Sequence, residues 1–251
     1  MSSVQHLYGT PAPQPQPQTQ TQSGDSSNKE APEKLHLTSH NQYKTPRLLR
    51  SDLSPNPLIQ FNKWLSSALD SKDGSPLVVE PEAMTLSTCT KQGIPSSRVV
   101  LLKTVDEKGF VFFTNYTSRK SGELNENPYA SLTFYWREIS RSVRVVGKVE
   151  KVSRKESEEY FASRPRGSQI GAWSSPQSKV VKEGEVQEIV DRKQEELGEG
   201  KVECPDFWGG WRVIPFEVEF WSGQPSRLHD RFRYTREEGS TGEWEIDRLA
   251  P

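Results

Sequence analysis

From Ala83 to the C-terminus this chain is written in short runs of alternating or β-branched residues separated by turn signals. That rhythm restricts it to a sheet of many short antiparallel strands. Residues 83–89 alternate and end at the turn Lys91-Gln92-Gly93. Residues 97–103 are apolar and β-branched with a cation near each end, and the turn Asp106-Glu107-Lys108-Gly109 predicts a hairpin with residues 110–114. Residues 130–136 and 141–147 read as the next pair. Phe216, Val218 and Phe220 then alternate with Glu217, Glu219 and Trp221, and residues 231–234 and 244–249 close a last hairpin around Gly239 and Gly242.

Helices interrupt the strands. Asn56 caps a helix with Pro57 at its first position, and Leu58, Phe61, Leu65 and Leu69 give it an apolar face with Trp64 alongside. Ser118 caps a short helix that ends before Pro128. Ser153 and Glu156 have capping-box spacing ahead of a helix that stops at Pro165, and Val186, Ile189, Val190 and Leu197 mark another. The expected fold is mainly β within the α+β class: a barrel of antiparallel strands with packed helices, not a doubly wound sheet.

Residues 1–35, with the run Pro11-Ala12-Pro13-Gln14-Pro15-Gln16-Pro17-Gln18, bury too little to offset their ordering entropy and read as a disordered tail. Residues 36–55 read as an N-terminal segment expected to cover the active site, and residues 56–251 as the folded domain. With 33 basic and 34 acidic side chains the net charge is -1, which argues against a nucleic-acid binder but leaves room for a local phosphate site. Cys89 and Cys204 form no CxxC pair, and three of the four histidines (His6, His36, His40) lie in or near the tail, so no metal site is expected. Without a long apolar run or a signal-like N-terminus, the expected location is the cytoplasm, off the membrane.

Three clusters carry possible chemistry. Arg119 and Lys120 oppose the dipole at the start of the helix capped by Ser118. They read either as a solvated basic turn or as an anion site. Tyr160 and Arg164, four apart near Ser168, read either as a phosphate clamp or as ordinary helix-end packing. In Arg227-Leu228-His229-Asp230-Arg231, an extended backbone puts Arg227, His229 and Arg231 on one face; the three potential cations read either as a site for an anion or electron-rich ligand or as a surface strand in which Asp230 compensates locally. Alternation sets Lys103 on the opposite face from Arg98.

These segments, in order, resemble the pyridoxamine 5′-phosphate oxidase family: Arg98 to Lys103; Ser118-Arg119-Lys120; Ser163-Arg164-Pro165-Arg166-Gly167-Ser168-Gln169-Ile170-Gly171-Ala172-Trp173; Phe207-Trp208-Gly209-Gly210; Arg227 to Arg231; and Asp247-Arg248-Leu249-Ala250-Pro251. The resemblance implies a split β-barrel homodimer with FMN at the subunit interface. It also implies oxidation of pyridoxamine or pyridoxine 5′-phosphate to pyridoxal 5′-phosphate, a step of vitamin B6 metabolism, with O2 as acceptor and H2O2 as product. Carried over by residue, Arg98, Val99, Val100, Leu101, Leu102, Lys103, Phe113, Thr114, Arg119, Lys120, Ser142, Gln177, Ser178, Trp221 and Arg231 match FMN positions. Lys103, Tyr160, Arg164, Ser168, Tyr43, Arg227 and His229 match substrate positions, with Arg227 and His229 against the pyridine ring as the catalytic pair. Ser142 departs from the usual Gln and is too short for the same direct hydrogen bond, and His40, Asn41 and Gln42 replace a more charged run. Two other classes fit many of the same residues: a split-barrel flavin reductase using a nicotinamide, and a non-enzymatic carrier of pyridoxal 5′-phosphate.

Overall fold

A computed structural model describes residue 34, residues 42–43, residues 45–70 and residues 76–251. The expectations for the tail, His40 and Asn41 lie outside the described residues. Helix α1 (Pro57–Leu69) starts as its sequence dictates, with the Asn56 side chain accepting from the Leu58 N–H. Its core face is Leu58, Phe61, Trp64 and Ala68, whereas Leu69 is exposed. Ala68 lies seven residues, just under two turns, from the fully buried Phe61 and so repeats its place on the core face, whereas Leu69 falls about 100° further round, at the edge of the stripe. The Phe61 ring lies 4.9 Å from both Phe110 and Phe134, which seals the helix onto the sheet.

The sheet has nine strands, all neighbours antiparallel, and helices pack around it. In chain order they are β1 (Ala83–Cys89), β2 (Pro95–Leu101), β3 (Thr104–Val105), β4 (Phe110–Asn115), β5 (Tyr129–Trp136), β6 (Arg141–Lys151), β7 (Trp208–Ser222), β8 (Asp230–Thr235) and β9 (Glu245–Leu249). The remaining helices are α2 (Arg119–Glu126), α3 (Arg154–Ser163), α4 (Arg166–Ser174) and α5 (Glu185–Leu197). Ser118 and Ser153 cap α2 and α3, the latter in a full capping box. The curled, mainly antiparallel architecture agrees with the split-barrel expectation.

Two strand expectations need correction. The segment at 97–103 does not pair with β4: β2 pairs with β1 over Ala83↔Leu101 to Cys89↔Pro95, and the hairpin partner of β4 is the two-residue β3. The switch occurs at Leu102 and Lys103, whose N–H groups go to Glu82 and Val111 respectively. The strand around Phe216 is also much longer than its alternation shows, because Gly209, Gly210 and Pro215 hide its first half.

Strand β7 organises the molecule. Along one edge it pairs with β6 from Trp211 to Ser222, while its other edge pairs first with β4 (Trp208 to Val213) and then with β8 (Glu217 to Ser222). A bulge between Val146 and Gly147 absorbs the change opposite Pro215, which has no N–H to donate. No helix among the described residues is long and apolar enough to cross a membrane.

Candidate functional site

A cavity of about 810 Å³ opens between β2, β4, α2 and the α3–α4 connection. Arg98, Val99, Val100, Leu101 and Lys103 line it from β2 and the turn beyond; Phe113, Thr114, Arg119 and Lys120 from β4 and α2. Tyr160, Arg164, Ser168, Gln177 and Ser178 complete the far wall. Arg98 and Lys103 therefore share one cavity despite their opposite strand faces, because the chain changes partner strand between them. Leu102 does not join them: its side chain is buried in the core.

Lys120 is the decisive group. Its side chain is buried, and its Nζ donates to Gln177 Oε1 at 3.1 Å, Thr114 Oγ1 at 3.2 Å and Ser118 Oγ at 3.5 Å, all neutral acceptors. No carboxylate pairs with it among the described residues. Burial, and secondarily the Arg98 charge, pull its pKa down to about 8. A buried ammonium without a counter-ion is costly unless an anion enters beside it.

Its neighbours are held by a residue the sequence reading missed. Glu123, also buried, accepts from Arg119 Nε at 2.8 Å, Ser96 Oγ at 2.6 Å, Arg98 Nη2 at 3.4 Å and the Thr88 hydroxyl. Burial works against its carboxylate, but the hydrogen bonds from Ser96, Thr88 and Arg119 outweigh it and bring the pKa to about 2. Its i,i+4 spacing from Arg119 was the available signal. Glu123 engages Arg119 through Nε alone, and Arg119 is among the residues that line the cavity.

A second, smaller cleft of about 390 Å³ gathers Tyr43, Ser142, Trp221 and Arg231. Ser142 Oγ donates to the Phe134 carbonyl at 2.8 Å and so is engaged within the sheet. Buried Glu219 accepts from Arg231 at 2.7 Å and Arg144 at 3.0 Å; burial raises its pKa, yet these two arginines bring it below the usual carboxylate range. Glu219 sits two residues before Trp221, on the same strand face, which was its signal.

Arg227 and His229 do not line this cleft, although His229 packs against two residues that do. The expected extended backbone across 227–231 is not observed: Pro225–Arg227 is a 3-10 turn, and Ser226 and Arg227 have φ of 56° and 62°. Strand geometry begins only at Asp230, so Arg227 is exposed and does not align with Arg231. Asp230 does not compensate its neighbours either; it is fully buried and bonded to Arg47 and Arg248. His229 packs 4.7 Å from Trp221 and 5.5 Å from Tyr43, measured between ring centroids. Gly223 makes room for that arrangement, since a Cβ there would lie 2.6 Å from the Tyr43 ring.

The backbone N–H of Gln224 donates to His229 Nδ1 at 3.1 Å, which requires that nitrogen to be unprotonated and leaves Nε2 carrying the proton. Burial, then the charges of Arg227 and Arg231, hold the His229 pKa below its ordinary 6.5. Since the lowered pKa favours the neutral ring, acid protonation should be delayed. We expect the acid limb of turnover to fall below pH 6.5 and to move upward in Arg227→Ala, in a pH–rate profile under saturating substrate. An unshifted limb in the variant would show that another group sets it.

Residues 75–192 match the family described as pyridoxamine 5′-phosphate oxidase, and residues 208–251 match the pyridoxine 5′-phosphate oxidase C-terminal dimerisation region. A pyridoxine/pyridoxamine 5′-phosphate oxidase of Burkholderia mallei is 50% identical over 212 residues, covering 83% of this chain and 95% of the relative. The Burkholderia thailandensis protein of the same name is 48% identical over 213 residues, with the same coverage. Among solved structures, PhzG from Burkholderia lata, crystallised with tetrahydrophenazine-1-carboxylic acid, superposes with a TM-score of 0.74 at 28% identity, covering 82% of this chain and 99% of that one. A pyridoxamine 5′-phosphate oxidase-related, FMN-binding protein from Nostoc punctiforme shares the fold, with a TM-score of 0.61 at 15% identity over 78% of this chain and 98% of its own.

Proposed function

The chain belongs to the pyridoxamine 5′-phosphate oxidase family, and from that premise we propose that it is an FMN-dependent oxidase converting pyridoxamine and pyridoxine 5′-phosphates to pyridoxal 5′-phosphate with O2. The observation that carries this reading is the pair of anion-ready groups in one cavity: Lys120, buried among neutral acceptors, and Arg164, whose Nη1 is buried with no hydrogen-bond partner among the described residues. One phosphate fits a cofactor and the other a substrate.

Under this reading Lys120 and Arg119 hold the FMN phosphate, with Arg98 and Thr114 beside it, while Arg164, Tyr160 and Ser168 hold the substrate phosphate. When bound, FMN supplies the hydride acceptor and is reoxidised by O2 to give H2O2. The remote phosphate grip is what fixes the reacting carbon of the substrate. The match to a dimerisation region supports a homodimer. In the dimer of this reading the smaller cleft of one protomer, lined by Tyr43, Trp221 and Arg231, faces the larger cavity of its partner and brings His229 and Arg227 with it. There neutral His229 offers its Nε2–H to the substrate, and Arg227 adds positive charge at the ring.

Oxygen uptake tests the proposal. Purified protein loaded with FMN, given pyridoxamine 5′-phosphate and no nicotinamide, is expected to release pyridoxal 5′-phosphate, ammonia and H2O2 in equal amounts. Oxidation of a tetrahydrophenazine carboxylate with none of the pyridoxamine phosphate would replace this reading with a PhzG-like one. A strict requirement for a nicotinamide would make the protein a reductase.

A further inference from the structure

The reaction as described leaves the Phe207-Trp208-Gly209-Gly210 segment without a task. We propose that Trp208 is the positioning residue for Arg164, holding its guanidinium by a ring face so that the N–H groups stay free for the substrate phosphate.

Arg164 ends α3 with an extended backbone ahead of Pro165, which turns its side chain off the helix and into the cavity. The guanidinium carbon lies 4.8 Å from the Trp208 ring centroid and 5.7 Å from that of Phe161. No salt bridge engages Arg164 among the described residues, and its Nη1 is orphaned. Arg212 shows the contrasting design: its Nε, Nη1 and Nη2 are all committed to Asp106, Glu150 and Glu156, which makes it a structural tie with nothing left to offer. A ring face attracts a cation without using any of its donors. Those donors form the planar fork that a phosphate accepts.

Trp208 is built to stay in place. It is buried at the start of β7, opposite Asn115, and meets Phe161 edge-on at 5.1 Å. Its plane lies within 13° of Phe113 and 9° of Tyr160, so three near-parallel rings wall the cavity beside Arg164. Gly210 permits this wall, since a Cβ there would lie 2.9 Å from Phe113.

The inference rests on the proposed oxidase reading, and the experiment separates the two. Steady-state oxidation of pyridoxamine 5′-phosphate and of unphosphorylated pyridoxamine is measured for wild-type, Trp208→Leu and Trp208→Phe holoenzyme, alongside equilibrium dialysis of pyridoxal 5′-phosphate and pyridoxal. Trp208→Leu is expected to raise KM for the phosphorylated substrate and Kd for pyridoxal 5′-phosphate about 10-fold. Its kcat, its FMN affinity and its handling of the unphosphorylated compounds should stay near wild type. Trp208→Phe, which keeps a ring, should lose only about 2–3-fold, and that loss should vanish in an Arg164→Met background. Equal losses on phosphorylated and unphosphorylated ligands, release of FMN, or an undiminished Trp208→Phe effect without Arg164 would each overturn the assignment. If Trp208→Leu does not fold, the Trp208→Phe cycle decides alone. A wild type that never oxidises pyridoxamine 5′-phosphate rejects the oxidase reading instead, and the dialysis comparison then decides the role of Trp208 by whether the loss is phosphate-selective.

Discussion

Lys120→Met is expected to weaken FMN binding by about 100-fold while riboflavin, which lacks the phosphate, binds nearly as before. A hydrogen bond to a charged group contributes roughly 1.5–3 kcal/mol, or about 10- to 150-fold, and burial places this ammonium at the upper end. Arg119 retains part of the anion grip because Glu123 still fixes its Nε. Flavin-fluorescence quenching with apoprotein measures both ligands. Equal losses for FMN and riboflavin would mean that Lys120 supports the cavity wall and not the phosphate.

The same residue gives a pH signature with a definite sign. Its pKa in the folded protein is about 8, below the ordinary 10.5, so between those values the unfolded chain binds more protons. The stability of the apoprotein therefore rises with pH across that window. FMN affinity runs the opposite way, falling as pH climbs past about 8 and the ammonium is lost. Lys120→Met should abolish both trends. Few other residues would couple cofactor affinity and apoprotein stability to pH with opposite signs.

Local chemistry was legible in the sequence and long-range chemistry was not. Asn56, Ser118 and Ser153 cap helices because a side-chain oxygen needs only a donor two or three residues away, and β1 begins and ends where its alternation does. The partner of β2 was misread because the turn at Asp106 is real but closes on the two residues of β3, and nothing local marks the switch at Leu102. The first half of β7 was hidden by the glycines that let Tyr116, Val152 and Phe113 pack against it. In the site, the cationic residues were found and their holders, Glu123 and Glu219, were not. A carboxylate that positions an arginine looks like any surface charge until the sheet buries it. Arg227 shows the reverse error: alternation assumes extended backbone, and Pro225 opens a turn with two residues at positive φ.

Asp230 is the longest-range case, and Asp230→Ala should be among the most destabilising single changes outside the apolar core. Its carboxylate has no exposed surface and accepts from Arg47 Nε at 2.8 Å, Arg47 Nη2 at 2.6 Å, the Leu48 N–H at 3.0 Å and Arg248. One side chain thus joins the N-terminal segment to both strands of the last hairpin. Removing it orphans a backbone N–H and strips two guanidinium groups of their shared anion. Breaking a buried pair costs about 3–5 kcal/mol, but the arginine side chains are 57% and 47% exposed and regain water, so about 2–4 kcal/mol is expected in urea unfolding. Burial raises the Asp230 pKa, yet the Arg47, Leu48 and Arg248 contacts outweigh it and leave the folded value below the ordinary 3.8. A depressed carboxylate stabilises above its unfolded pKa, and that contribution is lost as pH falls through the folded one. The gap between wild type and variant should therefore be full at neutral pH and shrink below about pH 4. The segment that Asp230 anchors also carries Tyr43 onto His229, so turnover should fall further than FMN affinity. A variant within about 0.5 kcal/mol of wild type at pH 7 would show that Gln224, which donates to the Thr45 and Pro46 carbonyls, holds the segment without Asp230.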